Sequence, residues 1–329
     1  MIGLLRKPET ITLAILLIAF GISAAATPQF RDAEYLFDRS SEYMEIGLLA
    51  LAMTFVIISG NIDLSVASGL ALVACVMGRL AMRGCPMGWI LLTAVALGLI
   101  LGLFNGLLIT KLKLPSLTVT LGTLALYRGI AQILLGDESS SDFPEWFLGL
   151  DYRKVRELVP YPLIVFLCFA IIMAVILHMT VFGRCVYAIG TNERASRFSG
   201  IRVERTKLIV FMLSGLMMGL GAIMMVSRLG VARHDLATGN ELVVITAVVL
   251  GGADIFGGRG SILGTVLALL LLCVVQIGMG LREFRPETKL LVQGALLVAA
   301  VLLTNLTGRL GTRLTKKTAK GETLDATTT

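Results

Sequence analysis

Apolar runs of nearly bilayer-spanning length recur from one end of this chain to the other, and that recurrence limits what it can fold into. A transmembrane helix needs about 20 predominantly apolar residues. Segments near that length cover 10 to 26, 44 to 59, 64 to 82, 89 to 109, 115 to 135, 161 to 180, 208 to 226, 241 to 256, 262 to 281 and 288 to 304. The pattern predicts an all-α polytopic membrane protein with about ten transmembrane or re-entrant helices. Composition agrees: of 329 residues, 56% are hydrophobic and 16% charged. A soluble domain carries about 25% charged residues, so a water-soluble globule of this sequence would lack a polar surface.

The polar interruptions, Gly136 to Pro160, Phe182 to Lys207 and the stretch after Thr307, are loop-sized. A separate catalytic or nucleic-acid-binding domain needs about 50 residues, so the reading is a membrane domain over 1–307 and a polar tail over 308–329. The net charge of +7 then reflects basic cytoplasmic loops, with no nucleic-acid partner. With the N-terminus inside, 16 basic residues fall on the cytoplasmic side, including Arg6, Lys7, Arg184, Arg194 and Lys207, against ten outside. That asymmetry predicts both termini in the cytoplasm. Arg6 and Lys7 ahead of an apolar run ending in Ala24, Ala25 and Ala26 also fit a signal peptide, but an uncleaved first helix suits a chain embedded throughout.

Chemistry is sparse. The closest approach to a phosphate-binding loop, Gly258 to Thr265, lacks the lysine that reaches the phosphates, so no nucleotide and no other cofactor is expected. His178 and His234 have no partner at i+4, no C-x-x-C pair occurs, and no metal site is expected. Glu45, Asp63, Arg79, Arg128 and Glu241 lie near span ends or breaks and read as interface anchors. Two junctions are too tight for loops: Gly60 to Asp63 and the glycine-rich Gly251 to Gly260. Such breaks are tolerated at membrane depth only where protein or a water-filled cavity shields the backbone, and transporters place substrate paths where broken helices meet. Asn61, Asp63, Ser65, Asn105, Thr118, Thr120 and Thr123 are therefore the expected path-lining set. Gly251, Gly252, Gly257, Gly258, Gly260 and Gly264 are read as structural. Gly98, Gly102 and Gly106, with Gly215 and Gly219, put small residues on one helix face for close packing.

The inside loop over 183–203 has a possible cap at Thr191 or Asn192, a short helix from Glu193 to Ser199 and a stop at Gly200. It reads either as a grip for a partner protein or as an ordinary basic loop. Its residues resemble the coupling loop of permease subunits in the ribose-type sugar ABC importers, which share their fold with branched-chain amino acid importers. Three further stretches are similar to the same family and fall in the same order: Ser59 to Ser68, close to G-G-I-D-L-S-V-G-S; Asn105-Gly106 with Leu114-Pro115 and Thr118 to Thr123; and Leu250-Gly251-Gly252 through Gly257 to Thr265. Asn61 and Ala67 stand where that family more often has glycine.

The resemblance implies a homo- or heterodimeric permease in a bacterial (inner) membrane, surrounded by lipid. It also implies a separate cytoplasmic ABC ATPase and a periplasmic or extracellular sugar-binding protein that delivers substrate. Gly183, Arg184, Asn192, Glu193, Ala195, Ser199, Gly200 and Ile201 would form the ATPase-coupling loop. Val231 to Leu236 and Thr246 to Ala253 look most like the branch that imports rhamnose or the furanose signal autoinducer-2. A transport subunit of this kind is not itself an enzyme. The rivals are a branched-chain amino acid permease, an ion-coupled secondary carrier and, from another class, a membrane enzyme using Asp63 or His234.

Overall fold

A computed structural model describes residues 8–150, 154–155, 159–299 and 302. The tail expected over 308–329 lies outside the described residues. The helices are α1 (Pro8–Ala26), α2 (Ala33–Ser41), α3 (Met44–Ile58), α4 (Val66–Met82), α5 (Met87–Thr110), α6 (Ser116–Leu135), α7 (Glu145–Leu148), α8 (Tyr161–Met179), α9 (Val181–Thr191), α10 (Glu193–Phe198), α11 (Val203–Leu229), α12 (Asn240–Leu250) and α13 (Ile262–Leu281). A final helix, α14, covers 286–299. Two short antiparallel strands, β1 (Lys154–Val155) and β2 (Val159–Pro160), precede α8.

Each expected span has a helix, but three are shorter than a full crossing. α3, α4 and α12 have 15, 17 and 11 residues. Among the described residues, six helices are long and apolar enough to cross a membrane, or seven if α2 and α3, bent by 61°, count as one span. α12 was expected to run to 256; the turn beginning at Gly251 ends it early. α3 is apolar on every side and all its residues are buried, the mark of a helix enclosed by protein. Being enclosed, it can stop inside the bundle.

Side-chain and backbone bonds tie the helix ends into two faces. On one, Thr12 donates to the Leu250 carbonyl at 2.9 Å, Ser261 to Glu9 at 2.9 Å, and Tyr187 to the Gly260 carbonyl at 2.7 Å. On the other, Arg228 donates to Glu45 at 3.0 Å, Ser140 to the Gly78 carbonyl at 3.0 Å, and Arg128 to the Leu236 carbonyl at 2.9 Å. Glu45 and Arg128, expected as interface anchors, instead bond within the bundle: Glu45, an acid with 1% exposure, joins α3 to α11, and Arg128 ties α6 to the segment between α11 and α12.

α5 and α11, which run antiparallel, pack backbone to backbone at glycines on successive turns. A Cβ on Gly102 would lie 2.3 Å from the Phe211 carbonyl oxygen, and one on Gly215 would lie 2.2 Å from that of Gly98. Only hydrogen in place of a side chain allows this approach, so these glycines act as packing surfaces. α12 and α13 meet likewise: a Cβ on Gly264 would stand 2.0 Å from the Gly251 oxygen.

Candidate functional site

The two breaks meet. The amide of Gly258 donates to the Ile58 carbonyl at 2.8 Å, and a Cβ on Gly257 would lie 2.9 Å from the Gly60 Cα. α9 seals the junction, since a Cβ on Gly190 would come within 1.8 Å of the Ile58 oxygen. The glycines expected as structural sit here: Gly252, Gly257, Gly258 and Gly260 all have positive φ, where a Cβ is disfavoured. At the first break the positive φ falls on Gly60, and Asn61 has none. Asn61 thus stands without strain where the resembled permeases more often have glycine, its amide donating to the Ser59 carbonyl at 3.0 Å.

Above this junction lies a buried polar network. Asp63 Oδ1 accepts from the Ser65 amide at 3.0 Å and the Ser65 hydroxyl at 2.6 Å, while Oδ2 accepts from Ser214 of α11 at 2.8 Å. Asn105 of α5 donates to Ser65 Oγ at 2.8 Å and accepts from Tyr127 of α6 at 3.1 Å. Thr120 donates to the Ile62 carbonyl at 3.2 Å. The backbone groups freed where α3 ends and α4 begins thus find partners inside the protein, as membrane depth requires.

The residues expected to line one pathway do not share one surface. Asn61, Asp63, Ser65, Asn105, Thr120 and Thr123 are buried; Asp63, Ser65 and Asn105 are joined through these bonds, while Thr120 is tied to the Ile62 carbonyl. Asn61 borders a cleft on the α10 side, and Thr118 is exposed on the opposite face of α6. Two network members, Ser214 and Tyr127, were not in the expected set. Their positions on apolar helix faces carry no local sign of a partner.

The expected coupling loop divides in two. Residues 183–191 are helical, not loop, and form most of α9. Phe182, Val186 and Ile189 give it an apolar face, and Phe182 stacks on Phe55 of α3 with ring centroids 6.3 Å apart. Gly183 is a packing glycine of the α8–α9 turn, its Cβ position 1.9 Å from the Leu177 oxygen. Arg184, on the exposed side of α9, is likewise separate from the tip.

The tip is α10. Asn192 caps it by accepting from the Ala195 amide at 3.0 Å, which decides between Thr191 and Asn192. Gly200, at φ +82°, closes it: the amides of Ile201 and Gly200 donate to the carbonyls of Ser196 and Arg197 at 3.1 and 3.2 Å, a Schellman-type end. Lys207 of α11 donates to Glu193 at 2.7 Å, and Arg197 pairs with both Glu193 and Glu204. Partial burial pushes the Glu193 carboxyl up, but Lys207 and Arg197 outweigh it and hold its pKa below the usual range. α10 is therefore fixed to the first two turns of α11. Asn192, Glu193, Ala195, Ser199 and Gly200 are exposed, Ile201 half so. Phe198, which sequence reasoning passed over, is 92% exposed. Its signal was an aromatic residue inside a polar stretch.

The chain is thus a multi-helix membrane bundle whose broken helices meet beneath a buried polar network. The chain belongs to the family described as "Branched-chain amino acid transport system / permease component", whose model matches residues 36–301. It is 38% identical over 296 residues, 88% of either chain, to the autoinducer 2 import system permease protein LsrD of Escherichia coli K12, and equally to LsrD of Shigella flexneri. LsrD of Escherichia coli O157:H7 matches to the same extent. No solved structure matches this chain significantly.

Proposed function

We propose that this chain is the membrane-spanning subunit of an ABC importer for a monosaccharide or a related small furanose, with autoinducer-2 and rhamnose as the leading candidates. The observation that carries this reading is identity at 38% along 88% of the length of autoinducer 2 import permeases. A branched-chain amino acid substrate has only the family's general description behind it.

In this reading α10 is the coupling helix. A cytoplasmic ATPase grips it, and the Glu193, Arg197, Glu204 and Lys207 cluster passes the motion into α11, hence to Ser214 and the network at Asp63. An external binding protein delivers the solute, and two permease subunits form the pathway, with Thr118 on a surface open to partners. The chain would sit in a bacterial inner membrane with both termini cytoplasmic. Reporter fusions after Lys207 and after Thr307 are expected to register as cytoplasmic; an external signal from either breaks the topology.

The test of function is gentle purification from the native membrane followed by identification of what accompanies the chain. A nucleotide-binding subunit and a sugar-binding protein are expected, with uptake dependent on ATP and blocked by vanadate. Uptake by this chain alone in liposomes, collapsing with an ion gradient, would establish a secondary carrier instead. Phe198→Asp and Glu193→Ala are expected to weaken ATPase assembly while leaving membrane insertion intact. Gly200→Arg adds left-handed strain of about 1–2 kcal/mol at the close of α10 and should do the same. Unchanged uptake and hydrolysis in all three variants would remove α10 from the coupling role.

A further inference from the structure

The face opposite α10 holds a cleft of about 630 Å³ between α2, β1 and the end of α11. Its walls carry Asp38 and Ser41 of α2, Glu42 just past its end, Lys154 of β1 and Arg228 of α11, with the Tyr35 ring and Leu229 as apolar patches. The charges are matched internally. Lys154 contacts Glu34 and Asp38 at 2.9 Å each, Arg39 contacts Glu42 at 2.6 Å, and Arg228 contacts Glu45 at 3.0 Å. Among the described residues, the cleft therefore offers an anionic ligand no uncommitted cation. A carboxylate in such a pair still has lone pairs directed elsewhere, which suits a donor that is itself uncharged.

Ser41 supplies the second observation. It is 3% exposed, and its hydroxyl is the buried side-chain polar group that has no hydrogen-bond partner among the described residues. An unsatisfied buried hydroxyl costs about 1–3 kcal/mol, a cost that a ligand hydroxyl reaching into the wall would remove. Three of the surrounding ion-pair partners, Glu34, Asp38 and Glu42, have side chains at least 40% exposed. Exposed pairs are worth about 0–1 kcal/mol, so reorganising them around a solute costs little.

We propose that this cleft is a receiving site on the permease itself for a neutral, polyhydroxylated solute, with the Ser41 hydroxyl and the Asp38 and Glu42 carboxylates as its hydrogen-bonding partners. The proposal rests on the sugar-import reading and deepens it: the solute released by the binding protein pauses here before the pathway opens.

The test uses the permease–ATPase complex in nanodiscs without the binding protein, titrated with L-rhamnose and D-ribose and, as a control, L-leucine. Saturable binding of at least one sugar is expected, weakened about threefold by Ser41→Ala and about tenfold by Asp38→Asn, with no saturable binding of leucine. Three results would overturn it: no saturable sugar binding, affinity unchanged in both variants, or leucine bound as well as the sugars. Loss of binding-protein-stimulated hydrolysis in Asp38→Asn with no sugar bound to either form would also overturn it, marking the cleft as a protein-docking surface. Binding-protein-driven uptake in the complete importer separates the two claims. Sugar uptake without cleft binding sinks only the cleft, while uptake of leucine and of no sugar sinks the import reading.

Discussion

Gly102→Ala is expected to prevent assembly of the folded permease, whereas Gly21→Ala leaves it intact. The new methyl at 102 would sit 2.3 Å from the Phe211 carbonyl oxygen and 2.9 Å from the Gly215 backbone. Both obstacles are main chain of α11, so no side chain can swing aside and the two helices must part along their interface. Overpacking of this kind costs about 1–3 kcal/mol where neighbours can adjust, and here they cannot. At Gly21 nothing lies within 4 Å of the Cβ position, and alanine gains about 1 kcal/mol of helix propensity. Size-exclusion after graded heating in detergent measures the contrast. Equal melting of Gly102→Ala and parent would show that α5 and α11 are not packed at this distance.

That same contrast marks how far the sequence could be read. The spacing of Gly98, Gly102 and Gly106 identifies a close-packing face, and the apolar runs identify every crossing helix. The tight junctions at Gly60 and Gly251 identify the breaks, because a chain cannot turn in so few residues otherwise. α9 was missed although Phe182, Val186 and Ile189 fall at helical spacing; Arg184 and Thr191 gave its exposed side the look of a loop. Thr118 was grouped with Thr120 and Thr123, yet two residues along a helix turn about 200°, which puts it on the other face. The pairings that join the site have no local signature: Asp63 and Ser214 are 151 residues apart, Glu45 and Arg228 are 183 apart. Only packing brings them together.

Asp63 is where structure and transport can be separated by experiment. Asp63→Ala removes the acceptor for the Ser65 amide, the Ser65 hydroxyl and the Ser214 hydroxyl. Each buried donor left unsatisfied costs about 1–3 kcal/mol, so a loss of at least about 3 kcal/mol and a clear fall in melting temperature are expected. Ser65 also holds Asn105, which holds Tyr127, so the damage spreads across α4, α5 and α6. Asp63→Asn should be far milder. Its carbonyl oxygen can keep both bonds from Ser65, and its amide can donate to Ser214, because a hydroxyl both gives and accepts. Ser214→Ala removes a single bond, about 1 kcal/mol, and combined with Asp63→Ala it should add less than that, since the bond is already gone. If stability alone is at stake, uptake follows the melting temperatures, with Asp63→Asn close to the parent and Asp63→Ala lost. If Asp63→Asn melts like the parent but does not transport, the carboxylate itself acts in the cycle, and the buried network must open to the solute at some stage of it.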